Sequence, residues 1–270
     1  MRRVAAGMLL GALMLTGCAA ASPRDSSVPG DEKGGSATSG PGLTGEVTVF
    51  AAASLRTAFD EIAEEFEQQH PGVDVKPIVY DGSSTLVTQL QEGARADVLA
   101  TADEDSMQLL VDDGLASDPR IFATNTLVVI TPPDNPGGVT ALSDLADAVT
   151  VLCAPEVPCG KASSTLLDGA GIEVTPASLE QNVTAVLQKV AAGEADAGLV
   201  YATDARPADG PCEASAAEVC SFRPENWRDA VNRYPVAALD GASGAGVAFA
   251  EFVRGPEAQR ILDDLGFGHP

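Results

Sequence analysis

The chain has 270 residues, 45% of them hydrophobic, and its 39 acidic against 16 basic side chains give a formal net charge of −23. Such an acidic balance argues against nucleic acid as a partner and against direct adsorption to an anionic membrane. The length allows one large domain or two small lobes with a substantial core.

At the N-terminus, Arg2 and Arg3 precede an apolar run over 4–15, too short for a permanent membrane-spanning helix and shaped like a secretory signal over 1–17. The run ends in Leu15-Thr16-Gly17-Cys18, which resembles a bacterial lipoprotein cleavage box. Cys18 would then carry the lipid, several acyl chains anchoring stably where one is marginal. Residues 18–44 read as the lipidated cysteine and a tether. That stretch is rich in Gly, Ser, Pro and Ala with almost nothing large and apolar, so it cannot bury enough surface to fold and spans about 28 Å root-mean-square as a random coil. The folded body starts near Gly45. With Arg2 and Arg3 removed, 14 basic residues face 39 acidic ones, a net −25.

Strand and helix patterns then alternate. Residues 46–51 read as a strand, followed by a helix over 54–69 whose apolar positions Leu55, Ala58, Phe59, Ile62, Ala63 and Phe66 recur at i, i+3, i+4 and which Pro71-Gly72 ends. Residues 73–80 read as a second strand, 83–92 as a helix closed by Gly93, 97–100 as a third strand and 104–111 as a helix. Apolar runs at 126–130, 149–152 and 197–200 read as further strands, with helical segments over 161–167 and 183–192 between them. This β-α-β-α order implies mostly parallel sheets.

In such sheets ligands sit beyond the carboxyl ends of the strands, where the next helix starts. Five points fall there. VTVFAAASL (47–55) and GSSTL (82–86) bring Ser54 and Ser83 to helix starts. Unpaired N–H groups and partial positive charge make such a start an anion receptor, and a serine hydroxyl there can cap or donate. The turn Val157-Pro158-Cys159-Gly160 precedes the helix at Lys161, Asn182 fits an N-cap before the buried stripe of Val183, Val186, Leu187 and Val190, and Tyr201 closes the run 197–200 with a phenolic hydroxyl. Together they suit a tetrahedral oxyanion with no metal and no lysine. Taken singly, Ser54 and Ser83 read as helix caps, Tyr201 as a half-buried aromatic, Cys159 as half of a disulfide, Val183 as core and Lys161 as a solvated first-turn lysine.

With Cys18 given to lipid, Cys153, Cys159, Cys212 and Cys220 are an even number in an exported chain, and of three pairings the local ones, Cys153–Cys159 and Cys212–Cys220, are favoured. Their spacing is not that of a CxxC pair, and His70 and His269 are the only imidazoles, which disfavours structural zinc.

VTVFAAASL, GSSTL, PEVPCG (155–160), QNV (181–183) and AGLVY (197–201), in this order and at these spacings, resemble the molybdate-binding proteins of bacterial ABC transporters. The resemblance covers 45–268, including a closing strand at 234–236 and GPEA at 255–258. It implies a two-lobed α/β fold, each lobe a mostly parallel sheet flanked by helices, with the ligand cleft between lobes. It also implies that molybdate or tungstate is held by neutral donors: Ser54 and Ser83 from the first lobe, the N–H groups of Cys159 and Val183 and the hydroxyl of Tyr201 from the second. No catalytic residue, no cofactor and no direct protein ligand to metal is expected, molybdenum entering only as its oxyanion. The implied partners are a membrane permease and, through the lipid, the outer face of the cell membrane, with the protein acting as a monomer. Two lobes require two crossings, expected near 126–132 and 234–239, giving one lobe of 45–125 plus 240–270 and another of 126–239; the segment 208–227 reads as a surface excursion.

Two positions depart from the family pattern. Cys159 stands where alanine is common, which a backbone N–H contact tolerates. Asp81-Gly82 stands before the second serine motif in place of small or serine residues, and a carboxylate beside a dianion repels it unless turned away. Rival ligands for the same architecture are sulfate, phosphate, whose proton Asp81 could accept, and ferric iron, for which only Tyr80, Tyr201 and Tyr234 could supply phenolates. A serine hydrolase is a remote alternative, since Gly241-Ala242-Ser243-Gly244-Ala245 misses GxSxG at its last position and neither histidine is placed as a base.

Overall fold

The computed structural model describes residues 42–205 and 218–270. The signal 1–17, Cys18, most of the tether and Cys212 lie outside the described residues.

The first expected strand is two, β1 (Thr44–Val47) and β2 (Val49–Ala52), because the Thr48 N–H turns out of the ladder to the Asp97 carboxylate at 2.8 Å. A 3-10 turn, Ala53–Leu55, leads into α1 (Arg56–Gln69). The second expected strand is likewise split, into β3 (Gly72–Val75) and β4 (Val79–Asp81), around Pro77, which has no N–H for a ladder. Then come α2 (Ser83–Gln91), β5 (Val98–Ala100) and α3 (Glu104–Asp112), whose first turn Asp103 caps by accepting from the Ser106 N–H at 3.0 Å.

The long strand β6 (Arg120–Thr131) opens the second half, followed by β7 (Thr150–Cys153), α4 (Pro158–Ala170), β8 (Ser178–Glu180), α5 (Val183–Ala191) and β9 (Ala197–Tyr201). After β10 (Cys220–Phe222) the chain finishes with β11 (Val231–Ala238), α6 (Gly244–Phe252) and α7 (Pro256–Asp264). Helix α4 begins three residues before the expected Lys161, since Pro158 at its first position has the backbone angle a helix start needs.

The strands run in the order β4-β2-β5-β11-β6-β9-β7-β8, with β10 on β6 and β1 paired to β3 apart. Two parallel triplets, β4-β2-β5 and β9-β7-β8, are joined through β11 and β6, which run antiparallel to their neighbours. Strand β6 changes partner along its length: Thr126 pairs with Val231 of β11, whereas Leu127 pairs with Tyr201 of β9. The pairing of β11 with β5 and with the first half of β6 sets it in the first sheet.

Helix α1 seats Phe59 and Phe66 against Phe122 and Phe249, with ring centroids 5.7 Å apart for Phe59 and Phe122 and 5.2 Å for Phe66 and Phe249. These are tilted and edge-on contacts that favour aromatic pairs beyond their buried area. They fix α1 and α6 on one face of the first sheet, and with α1 the serine turn that precedes it.

Candidate functional site

Both parallel triplets present their carboxyl ends to one pocket of about 220 Å³, counted to its open mouth. Ser54 follows β2, Ser83 follows β4 and Ala102 follows β5; from the other side come Cys159 after β7, Val183 after β8 and Tyr201 at the end of β9. All five residues expected from the sequence therefore line the same cavity, together with Asp81, Gly82, Gln181 and Asn182. No lysine or arginine is among the lining residues.

Neither serine caps a helix. Ser54 lies inside the 3-10 turn with no capping bond, and Gly82, not Ser83, is the N-cap of α2. Their hydroxyls are engaged from elsewhere. The Ala102 N–H donates to Ser83 Oγ at 2.9 Å, and Tyr234 Oη lies 3.1 Å from Ser54 Oγ while itself lying 3.5 Å from the Asn125 amide nitrogen. Asn232 donates through Nδ2 both to Tyr201 Oη at 2.9 Å and to the Ala102 carbonyl at 2.8 Å. Either hydroxyl of the Ser54–Tyr234 pair can donate, and Tyr234 is also hydrogen-bonded with the Tyr201 hydroxyl. The Ser83 and Tyr201 hydroxyls thus each accept from a protein donor, and the Ser54 hydroxyl is paired with Tyr234.

The backbone adds donors of the same sign. Pro158 has no N–H, so Cys159 carries the first N–H of α4, and the helix offers it no acceptor. Gly160 makes this seating possible: a Cβ there would overlap the Ala154 carbonyl oxygen. A disulfide joins Cys153 at the end of β7 to Cys159, which pins the first turn of α4 to its strand. In α5 the Asn182 side chain takes the Ala185 N–H at 3.0 Å, as expected of an N-cap, and the N–H of Val183 has no acceptor within its helix.

Burial, together with the neighbouring Tyr234 phenol, pushes the Tyr201 hydroxyl well above its ordinary range, so it stays a neutral donor. Burial likewise holds Tyr234 protonated. Asp81, the one charged group in the lining, has its Oδ1 occupied by the Gly82 N–H at 2.7 Å and the Asn182 amide at 3.0 Å. Lys161, on the first turn of α4, is partly exposed, pairs with Asp103 at 3.3 Å and Asp105 at 3.1 Å, and is absent from the lining. Burial lowers its pKa, but the two carboxylates outweigh this and the net shift is upward.

Behind the site, Asp204 accepts the Tyr201 N–H at 3.0 Å, and burial pushes its carboxyl up to about 7. Tyr234, Asn125, Asn232 and Asp204 were not singled out as site residues from the sequence. They bear on the pocket through hydrogen bonds to the residues that line it, and no spacing in the sequence announces such contacts.

A family model for the bacterial extracellular solute-binding proteins matches residues 47–268. The chain belongs to this family. It is 42% identical over 229 residues to the molybdate-binding protein ModA of Mycobacterium tuberculosis, covering 83% of this chain and 85% of that one. It is 32% identical over 241 residues to ModA of Escherichia coli, covering 83% and 89%. Among solved structures, the periplasmic molybdate-binding protein of Azotobacter vinelandii superposes with a TM-score of 0.67 at 20% identity over 83% of this chain and 99% of that one. The fold is the two-lobed α/β architecture of solute-binding proteins, with the pocket where the two sheet ends meet.

Proposed function

We propose that this extracellular solute-binding protein captures molybdate and tungstate in the Ser54–Tyr201 pocket and delivers them to the permease of an ABC transporter. The observation that carries the reading is the donor set. Three hydroxyls, of Ser54, Ser83 and Tyr201, held by hydrogen bonds to Tyr234, the Ala102 N–H and Asn232, line with two helix-start residues a pocket that has no lysine or arginine in its wall. Such a site complements an oxyanion whose oxygens only accept, and it asks for neither metal nor cofactor. The names of the relatives in M. tuberculosis and E. coli support molybdate among oxyanions.

Desolvating a dianion is expensive, and several charge-assisted hydrogen bonds must offset it together. A smaller sulfate would leave some donors unpaired, which is the basis for discrimination by size. Two protein donors already hold Asp81 Oδ1, so a phosphate proton would have to be taken by Oδ2. The chain acts as a binding protein and not as an enzyme. In support, Ser243 of the near-GxSxG stretch caps α6, its Oγ accepting the Gly246 N–H at 3.0 Å.

In this reading the two lobes divide near 126–132 and again near 234–239, the protein is a monomer, Cys212 pairs with Cys220, and Cys18 carries the lipid that holds it at the outer face of the cell membrane. Calorimetry with molybdate, tungstate, sulfate and phosphate tests the binding claim. Tight binding of the first two and weak or no binding of the others is expected, and absence of both heat and thermal shift with molybdate and tungstate would overturn it.

A further inference from the structure

We propose that Asp81 and Gly82 form the closure pair of the cleft: Gly82 is the contact at which the two sides meet, and Asp81, through Asn182, is the latch that keeps them together. This rests on the oxyanion-binding reading, and it assigns a role to Asp81-Gly82, one of the two places where the sequence departs from the family pattern.

The backbone of Gly82 has φ −59° and ψ 139°, angles that any residue adopts, so conformational freedom does not explain the glycine. Space does. A Cβ at Gly82 would overlap the carbonyl oxygen of Gln181, which belongs to the opposite side of the cleft, just before α5. A backbone carbonyl cannot swing aside as a flexible side chain can. The separation between the start of α2 and the start of α5 is therefore set by the hydrogen atom on Gly82, and one methyl group there holds the cleft open.

The adjoining residues tie the same seam. Asn182 donates from Nδ2 to Asp81 Oδ1 at 3.0 Å, and its own Oδ1 caps α5, so one amide is held in place by its helix and reaches across. Ser84 Oγ donates to the Glu156 carbonyl at 2.9 Å nearby. Lys161 with Asp103 and Asp105 also bridges α4 and α3, but its side chain is 40% exposed, and water and salt weaken such a pair. The Asp81 bond is charge-assisted and sits in the pocket wall, which makes it the stronger tie. An acidic residue can stand beside an anion site because two donors hold its Oδ1 toward the seam.

The test measures molybdate dissociation by stopped flow, and, without ligand, the distance between spin labels on Gln108→Cys and Thr165→Cys across the cleft. Gly82→Ala is expected to speed dissociation by about tenfold or more and to lengthen the label distance while its unfolding midpoint stays at the wild-type value. Asn182→Ser keeps a cap for α5 but cannot reach Asp81, and it should speed dissociation by about tenfold, the loss of one charge-assisted bond. Adding Asp81→Ala to it should bring no further change, and Asp81→Asn should recover most of what Asp81→Ala loses, since an amide oxygen can still accept. A wild-type dissociation rate and label distance in Gly82→Ala, or additive losses in the Asp81→Ala/Asn182→Ser double variant, would overturn the closure pair. If the wild-type protein binds none of the oxyanions, the binding reading falls; the ligand-free label distance in Gly82→Ala still decides the closure pair, a longer distance upholding it and an unchanged one refuting it.

Discussion

Ser54, Ser83 and Tyr201 are held in the pocket wall by other residues. Tyr234, the Ala102 N–H and Asn232 each hydrogen-bond one of them. Removing donors should act on affinity and keep the fold: Ser54→Ala combined with Ser83→Ala is expected to abolish molybdate binding in calorimetry while lowering the unfolding midpoint, since the buried Ala102 N–H and Tyr234 hydroxyl each lose a partner. Tyr201→Phe should weaken binding by about ten- to a hundredfold, the range for one hydrogen bond to a charged partner, and Asn232 keeps its second acceptor at the Ala102 carbonyl. Asp204 supplies a pH signature. Its folded carboxyl holds a proton up to about pH 7, whereas the unfolded chain releases it near the ordinary 3.8. Between these values the native state binds more protons, so stability falls as pH rises, and the loss is complete above about 7. Unfolding midpoints measured from about pH 5 to 8 should therefore fall less steeply in Asp204→Asn, whose amide oxygen can still accept the Tyr201 N–H; parallel profiles for the two proteins would refute this. The serines were legible as polar residues at helix starts, but not the groups that orient them, because Tyr234 reaches Ser54 from 180 positions away.

At the level of elements, hydrophobic periodicity was enough to find α1, α2, α3 and α5 to within a residue or two, since each buries one stripe. Strand β8 and helices α6 and α7 were not read as elements. A three-residue strand shows no alternation, and α6 is apolar nearly all round, so it carries no helical stripe. The antiparallel placement of β11 was also hidden, because its partners β5 and β6 lie far away in sequence. Helix α4 shows what a cysteine pair can do at a site. The Cys153–Cys159 bridge ties its first turn to β7 at a residue that lines the pocket. Closing so short a loop contributes about 2 kcal/mol in a chain-entropy account. Cys153→Ala with Cys159→Ala is accordingly expected to lose about that much in denaturant titrations and to bind molybdate more weakly, mainly through faster dissociation. Unchanged dissociation with lowered stability would mean that the bridge supports the fold without aligning the donor.

For the whole molecule the charge and the site oppose each other. The pocket is built to attract a dianion through local dipoles, yet it sits in a chain of formal charge −23 with 39 acidic residues, and the approaching ligand meets that field first. The opposition is resolved by distance. At physiological ionic strength the field of exposed carboxylates is screened within about 8 Å, whereas hydrogen bonds made inside a closed cleft at about 3 Å are not. The two terms therefore separate kinetically: net charge governs the rate of encounter, and the donors govern how long the ligand stays. Raising inert salt, with an anion too large for the pocket, should speed molybdate association several-fold while dissociation changes little. A stopped-flow series in which association slows markedly with salt would show instead that an attractive local field, and not the repulsive global one, controls capture.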